Sequence, residues 1–187
     1  DYVSPVKHTV NGVEMIVQMT ASHVAGVSPK DGAVLWTYPR EARITISSPV
    51  CDGNKVFVAS AYNVGCDLIE LTPDGGKFTA RGVYDDDTKK VMQNHHGGVI
   101  LIDGHVYGYS DKGRGAWTCM ELKTGKSVWA SSKTPKGSLV HADGRLVRFD
   151  EEKGDVVLIA ASPKGYGEHG RFGIPKPSTR RRPPNRA

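Results

Sequence analysis

Cysteine is scarce: Cys51, Cys66 and Cys119 are the only three in 187 residues. An odd number without regular spacing builds neither a disulfide framework nor a zinc site. Each lies in or beside a strand-like run, where a thiol serves as a small buried hydrophobe. No stretch approaches the roughly 18 consecutive apolar residues of a membrane span, which argues against a transmembrane segment. There is no initiator Met and no signal peptide, so any targeting segment is expected to lie outside these residues. No segment carries a convincing helical stripe; at most one helical turn is expected in "DDDTKKVMQN". Acid is absent from Arg171 onward, where six basic residues fall. The remaining nineteen basic residues face twenty acids over residues 1–170, a net charge near −1. The body is therefore neutral, and the tail "KPSTRRRPPNRA" is polar and Pro/Arg-rich, a disordered composition. A nucleic-acid surface needs Lys and Arg spread over a folded face. None is legible, so no specific nucleic-acid partner is expected.

What is abundant is glycine, 22 residues, and it falls in a repeating pattern. Four segments run strand, turn, strand: "VKHTVNGVEMIVQ", "SPVCDGNKVFVAS", "VILIDGHVYGYS" and "SLVHADGRLVRFD". Asn-Gly or Asp-Gly between alternating apolar strands is the strongest short-range hairpin signal, because glycine accepts the positive φ of the tight turn. The glycines, Gly12, Gly53, Gly104 and Gly144, are 41, 51 and 40 residues apart. A second turn glycine follows each, at Gly32, Gly75, Gly125 and Gly165, after 20, 22, 21 and 21 residues. Each unit thus reads as a four-stranded antiparallel meander of about forty residues, the sign of an all-β propeller. The expected blades are about 1–42, 43–90, 91–133 and 134–174, followed by a basic tail at 175–187. Known propellers usually have four to eight blades, so these four are expected to be part of a larger ring.

Two units share a further feature. "SPKDGAVLW" places Trp36 four residues after Gly32, and "LKTGKSVW" places Trp129 four after Gly125. The other two units keep the turn and lack the indole, with Ala80 and Glu168-His169-Gly170 near that point. This pattern resembles the tryptophan-docking repeat of the quinoprotein (PQQ-like) β-propellers. The resemblance covers roughly residues 3–174, and the chain looks like the bacterial envelope group of PQQ-like propeller repeat proteins. That group is similar to the lipoprotein scaffold of the outer-membrane β-barrel assembly machine. The resemblance implies that Gly32, Trp36, Gly125 and Trp129 are structural, each indole lying across a neighbouring blade. Burying ~150–250 Å² of aromatic surface at ~25 cal/mol/Å² is worth roughly 4–6 kcal/mol gross, an upper bound. Trp117, off the pattern, reads as core.

"MQNHHGGVILIDGHVYGYS" sets two adjacent histidines before the first strand of the third unit. Aligned by its turn, this stretch enters the strand nearest the channel, so Asn94, His95 and His96 are the candidate channel-mouth residues. On a strand, neighbours point to opposite faces, so His95 and His96 are not expected to share a metal, and no third ligand is suitably spaced. The plainer reading is structural or hydrogen-bonding histidines, with Gly97 and Gly98 allowing close backbone approach; the sharper one is polar contact with a ligand. "YDDDTKK" lacks calcium-loop spacing and reads as a solvated loop. No Gly-x-Ser-x-Gly elbow or pairable nucleophile is present.

The true dehydrogenases that these repeats resemble hold PQQ beneath a vicinal disulfide, with calcium and a catalytic aspartate. No two cysteines are adjacent here. The expectation is therefore a non-catalytic binding or scaffold module of the periplasmic or extracellular cell envelope, without cofactor or metal, whose partner is a protein or extracellular ligand. The alternative is a PQQ- and calcium-dependent alcohol-type dehydrogenase, or a fragment of one.

Overall fold

The computed structural model describes residues 2–175. Of the basic tail, Lys176–Ala187 lie outside the described residues. The chain forms four four-stranded antiparallel sheets, each with its strands side by side in chain order. Blade one holds β1 (Val6–Val10), β2 (Val13–Met19), β3 (His23–Val27) and β4 (Val34–Pro39). Blade two holds β5 (Val50–Asp52), β6 (Lys55–Ser60), β7 (Gly65–Asp74) and β8 (Lys77–Gly82). Blade three holds β9 (Val99–Ile102), β10 (His105–Ser110), β11 (Ala116–Glu121) and β12 (Ser127–Ser131). Blade four holds β13 (Gly137–Ala142), β14 (Arg145–Asp150), β15 (Asp155–Ala160) and β16 (Glu168–Gly173). Among the described residues the one helix, α1 (Asp86–Lys89), lies in the long connection before blade three and is capped by the Asp85 carboxylate, which accepts from the Thr88 amide. This is the all-β propeller architecture that the repeat predicts.

The hairpin turns explain why the strands reverse where they do. Asn11-Gly12, Asp103-Gly104 and Asp143-Gly144 all have positive φ at both turn residues, the mirror-image turn whose twist matches that of paired strands. Blade two differs from the expected Asp-Gly turn. Asp52 pairs with Lys55, so its turn residues are Gly53 and Asn54. Only Gly53 of these is left-handed, at φ 54, the turn variant that requires glycine first. The unit is thereby shifted by one residue relative to the others.

Packing follows from the two-residue period of a strand. In β6, Val56 and Val58 face blade one while Phe57 and Ala59 face blade three. In β7, Ile69 and Leu71 face the first, and Cys66 and Leu68 the second. Blade three repeats the arrangement: Val106 and Met120 turn to blade two, and Tyr107, Tyr109, Trp117 and Cys119 to blade four. Each joint between blades is therefore an apolar core, and the three cores stand in series. Near the ring axis, β1, β5 and β9 line a groove of about 390 Å³ through residues such as His8, Cys51 and Ile100.

The three indoles all lie at these joints. Trp36, 3% exposed, donates Nε1–H to Met15 Sδ at 3.2 Å within the core shared by blades one and two. Trp129 sits between Tyr107 and Tyr166, with ring centroids 6.1 and 5.9 Å away, and donates to the Ser162 carbonyl of blade four at 2.9 Å. Trp117 donates to the Pro135 carbonyl at 2.9 Å, in the connection entering blade four. Polar locks add direction. The Arg40 guanidinium bonds Asp67 Oδ2 at 2.7 Å, Ser60 Oγ at 3.0 Å and the Gly65 carbonyl at 2.8 Å, tying the exit of blade one to blade two. Arg148, fully buried, stands over the Trp117 ring at 5.3 Å and donates to the Pro135 carbonyl at 2.7 Å.

Trp36 lies directly over Gly26, where a Cβ would come within 2.0 Å of the indole Nε1. Gly26→Ala should therefore destabilise the protein by about 1–3 kcal/mol, the range for overpacking a dense core. A lowered urea midpoint with an unchanged slope measures it; an unaltered midpoint would refute the close approach.

Candidate functional site

The connections between strands gather on the two rims of the blades. One rim carries the entry of each blade and the loop after its second strand, and His95 and His96 stand there. They do not occupy a strand. Gly97 and Gly98 follow with φ of 85° and 76°, and the run before β9 is irregular. The expectation that the two side chains point to opposite faces fails for that reason: their rings lie side by side, centroids 5.0 Å apart. Of the two glycines, Gly97 needs its missing side chain, since a Cβ there would run into the Gly137 carbonyl of blade four, while Gly98 opens on free space.

Around the imidazoles, side chains from three blades converge. Tyr62 of blade two places its hydroxyl 2.9 Å from His95 Nε2. Lys136, at the entry to blade four, reaches His95 Nδ1 at 3.1 Å and Asp111 Oδ2 of blade three at 2.8 Å. His96 Nε2 lies 3.2 Å from Glu151 Oε2 of blade four. A lysine ammonium only donates, so Nδ1 of His95 is the acceptor and its proton sits on Nε2, pointing at the Tyr62 oxygen. Tyr62, 57% exposed, then keeps its own O–H free for the solvent side. Partial burial pushes the His95 pKa below its ordinary 6.5, and the charges of Lys136 and His96 push the same way; Asp111 and Glu151 oppose them.

Asn94 behaves differently from its neighbours. It is 1% exposed; its amide donates to the Tyr109 carbonyl at 2.9 Å and its oxygen accepts from Ser47 Oγ. That places it as a staple between the entry to blade two and the second strand of blade three. Tyr62, Asp111, Lys136 and Glu151 are absent from the sequence reading, and one signal would have found three of them. Asp111 and Glu151 each directly follow the second strand of their blade, and Tyr62 stands two residues after its own. Polar or aromatic residues just after the second strand of successive repeats mark a shared rim.

Among the described residues, no three His, Cys, Asp or Glu side chains are grouped so as to hold a metal ion. The cysteines belong to different strands, and burial pushes the Cys51 and Cys66 thiols up to about 12. These three residues do not form the vicinal disulfide of a quinone site. No helix of the described residues is long and apolar enough to cross a membrane.

One family model matches most of the chain. It is described as outer membrane protein assembly factor BamB, and it matches residues 2–164. The chain belongs to this family. Among curated proteins none matches the sequence. Solved structures share the fold at low identity. BamB from Moraxella catarrhalis superposes with a TM-score of 0.60 at 13% identity, over 92% of this chain and 50% of that one. Apo AztD from Citrobacter koseri gives 0.51 at 9%, over 93% and 47%. A europium-containing methanol dehydrogenase gives 0.52 at 12%, over 86% and 40%. The four blades thus span about half the length of these relatives or less, and BamB-like and dehydrogenase propellers share the fold.

The pH response of the rim follows from His95. Its folded pKa lies below the unfolded 6.5, so the unfolded state binds more protons between the two values and stability falls as the pH drops through that window. In an NMR titration the His95 ring should protonate below 6.5, and Lys136→Met should move its midpoint upward. A midpoint indifferent to Lys136 would remove the ammonium from contact with the ring.

Proposed function

We propose that this PQQ-like propeller is a non-catalytic binding and scaffold module of the bacterial cell envelope. One observation carries the reading: the charged groups that converge on His95 and His96 are engaged with one another. Lys136 is held by Asp111 and His95, and His96 by Glu151. A general base or nucleophile needs an activated group facing substrate, whereas a rigid, neutralised polar rim with an outward tyrosine suits recognition of a folded surface. Membership of a family described as an outer membrane assembly factor supports a protein partner and an envelope location. A rigid scaffold with loops that differ between blades is suited to this use.

The second reading, a PQQ-dependent alcohol-type dehydrogenase or part of one, is favoured by the likeness to a methanol dehydrogenase propeller. One experiment divides the two. The 187-residue protein is mixed with PQQ and calcium, and bound quinone absorbance and dye reduction with primary alcohols are followed. No bound quinone and no turnover above the protein-free control are expected. Stoichiometric quinone binding with alcohol-dependent dye reduction would overturn the scaffold reading.

A further inference from the structure

The joints between blades are not filled alike. Between blades one and two, and between three and four, an indole of the fourth strand packs into the joint beside a register shift of its sheet. Blade two has no such shift: β7 and β8 pair without interruption from Ile69–Gly82 to Asp74–Lys77. Phe78 and Ala80 then turn towards blade one, and strand alternation turns Thr79 and Arg81 towards blade three. No indole of blade two enters its joint with blade three. Tyr84, from the connection, packs edge-on to Phe57 and donates to the Leu122 carbonyl, which closes part of that joint. The remainder opens as a cleft of about 520 Å³ among the first hairpin turns of the two blades, on the rim opposite His95.

Charge is ordered along this cleft. On blade two, Asp52, Lys55, Glu70 and Arg81 are successive cross-strand partners, so a row of alternating charge runs from the inner strand β5 to the outer strand β8. The middle of the row is engaged: Glu70 lies 3.9 Å from Lys55 and 3.2 Å from Arg81 Nη2. On blade three, Asp103 lines the cleft from the turn after the inner strand β9, and Lys123 lines it beyond β11. The inner end therefore holds two carboxylates, Asp52 and Asp103, and the outer end two cations, Arg81 and Lys123. Among the described residues, the side chains of Asp52, Asp103 and Lys123 have no hydrogen bond or ion pair.

Between the ends lie groups suited to a polypeptide backbone. His105 Nδ1 is 2.8 Å from the Asp103 carbonyl. A carbonyl only accepts, so the ring proton sits on Nδ1 and Nε2 is left as an acceptor. One oxygen of Glu121 accepts from Thr124 Oγ1 at 2.6 Å, and its other oxygen is a second acceptor. Val83 and Leu122 add apolar surface. Three strand spacings of about 4.8 Å separate the two ends of the row, roughly 14 Å. An extended chain advances ~3.3–3.6 Å per residue, so about three or four residues reach from end to end.

We propose that this cleft binds a short peptide of three or four residues with both termini free. Its ammonium lies between Asp52 and Asp103, and its carboxylate meets Arg81 and Lys123. The cleft volume is within the range of small-molecule sites. Direction is fixed by charge, since a reversed peptide would set like charges together at both ends. Length is fixed as well, because a longer extended chain carries one terminus past its partners. The inference is independent of the scaffold reading, which rests on the other rim.

Calorimetric titration of the 187-residue protein with trialanine and tetra-alanine tests it. One-to-one binding is expected. N-acetylation or C-amidation should each weaken it about tenfold or more, the effect of losing a charge-assisted contact. Dialanine, too short for the span, should bind weakly in the same measure. Asp52→Asn with Asp103→Asn should weaken the free peptide about tenfold and leave the N-acetylated one unchanged. Arg81→Gln with Lys123→Met should separate free from C-amidated peptide in the same way. All four positions are at the cleft surface, so far-UV circular dichroism should not change. No binding at millimolar peptide overturns the proposal, as does equal binding of blocked and free peptides. Binding that either pair of substitutions leaves intact also overturns it.

Discussion

A strand shows alternate residues to opposite faces, and in the middle blades both faces are apolar. That constraint governs the molecule. Val56 and Phe57 are neighbours in sequence, yet they belong to two different cores. A sheet of this kind cannot be stable alone in water, since covering one face leaves the other exposed. Only stacking in series answers it. The polar locks then choose among stackings: Arg40 fits one position, where a carboxylate, a hydroxyl and a carbonyl meet its three nitrogens. Burying such a cation does little for net stability by itself, but leaving any of those partners unmet is costly.

The propeller was legible because its signals are local and repeated. A hairpin turn needs two residues, and the indole stands a fixed four residues after its glycine, so short windows suffice. The turn of blade two escaped by one residue because "CDGNK" contains both an Asp-Gly and a Gly-Asn pair. Strand pairing decides between them, and that depends on residues on both arms.

The rim was legible only in part. His95 and His96 stand out as a pair, but strand alternation does not hold where two left-handed glycines bend the chain. Their partners Tyr62, Asp111, Lys136 and Glu151 lie up to 55 residues from them. No short window contains that set; comparison of equivalent positions between repeats does. Asn94 shows the opposite difficulty. Its amide looks like a ligand group in sequence, and only burial beside the Tyr109 carbonyl reveals a fastener.

The sheet order has one more consequence. Within each blade every strand pairs with its immediate chain neighbours, and no strand waits for a distant partner. Contacts of such short span form quickly, because little loop entropy is lost in making them. A chain emerging from a ribosome can pair the strands of each blade as they arrive and pack them on the blade before. Each completed blade then offers a template for its successor, so assembly runs in the direction of synthesis and little sticky sheet stands bare at any moment.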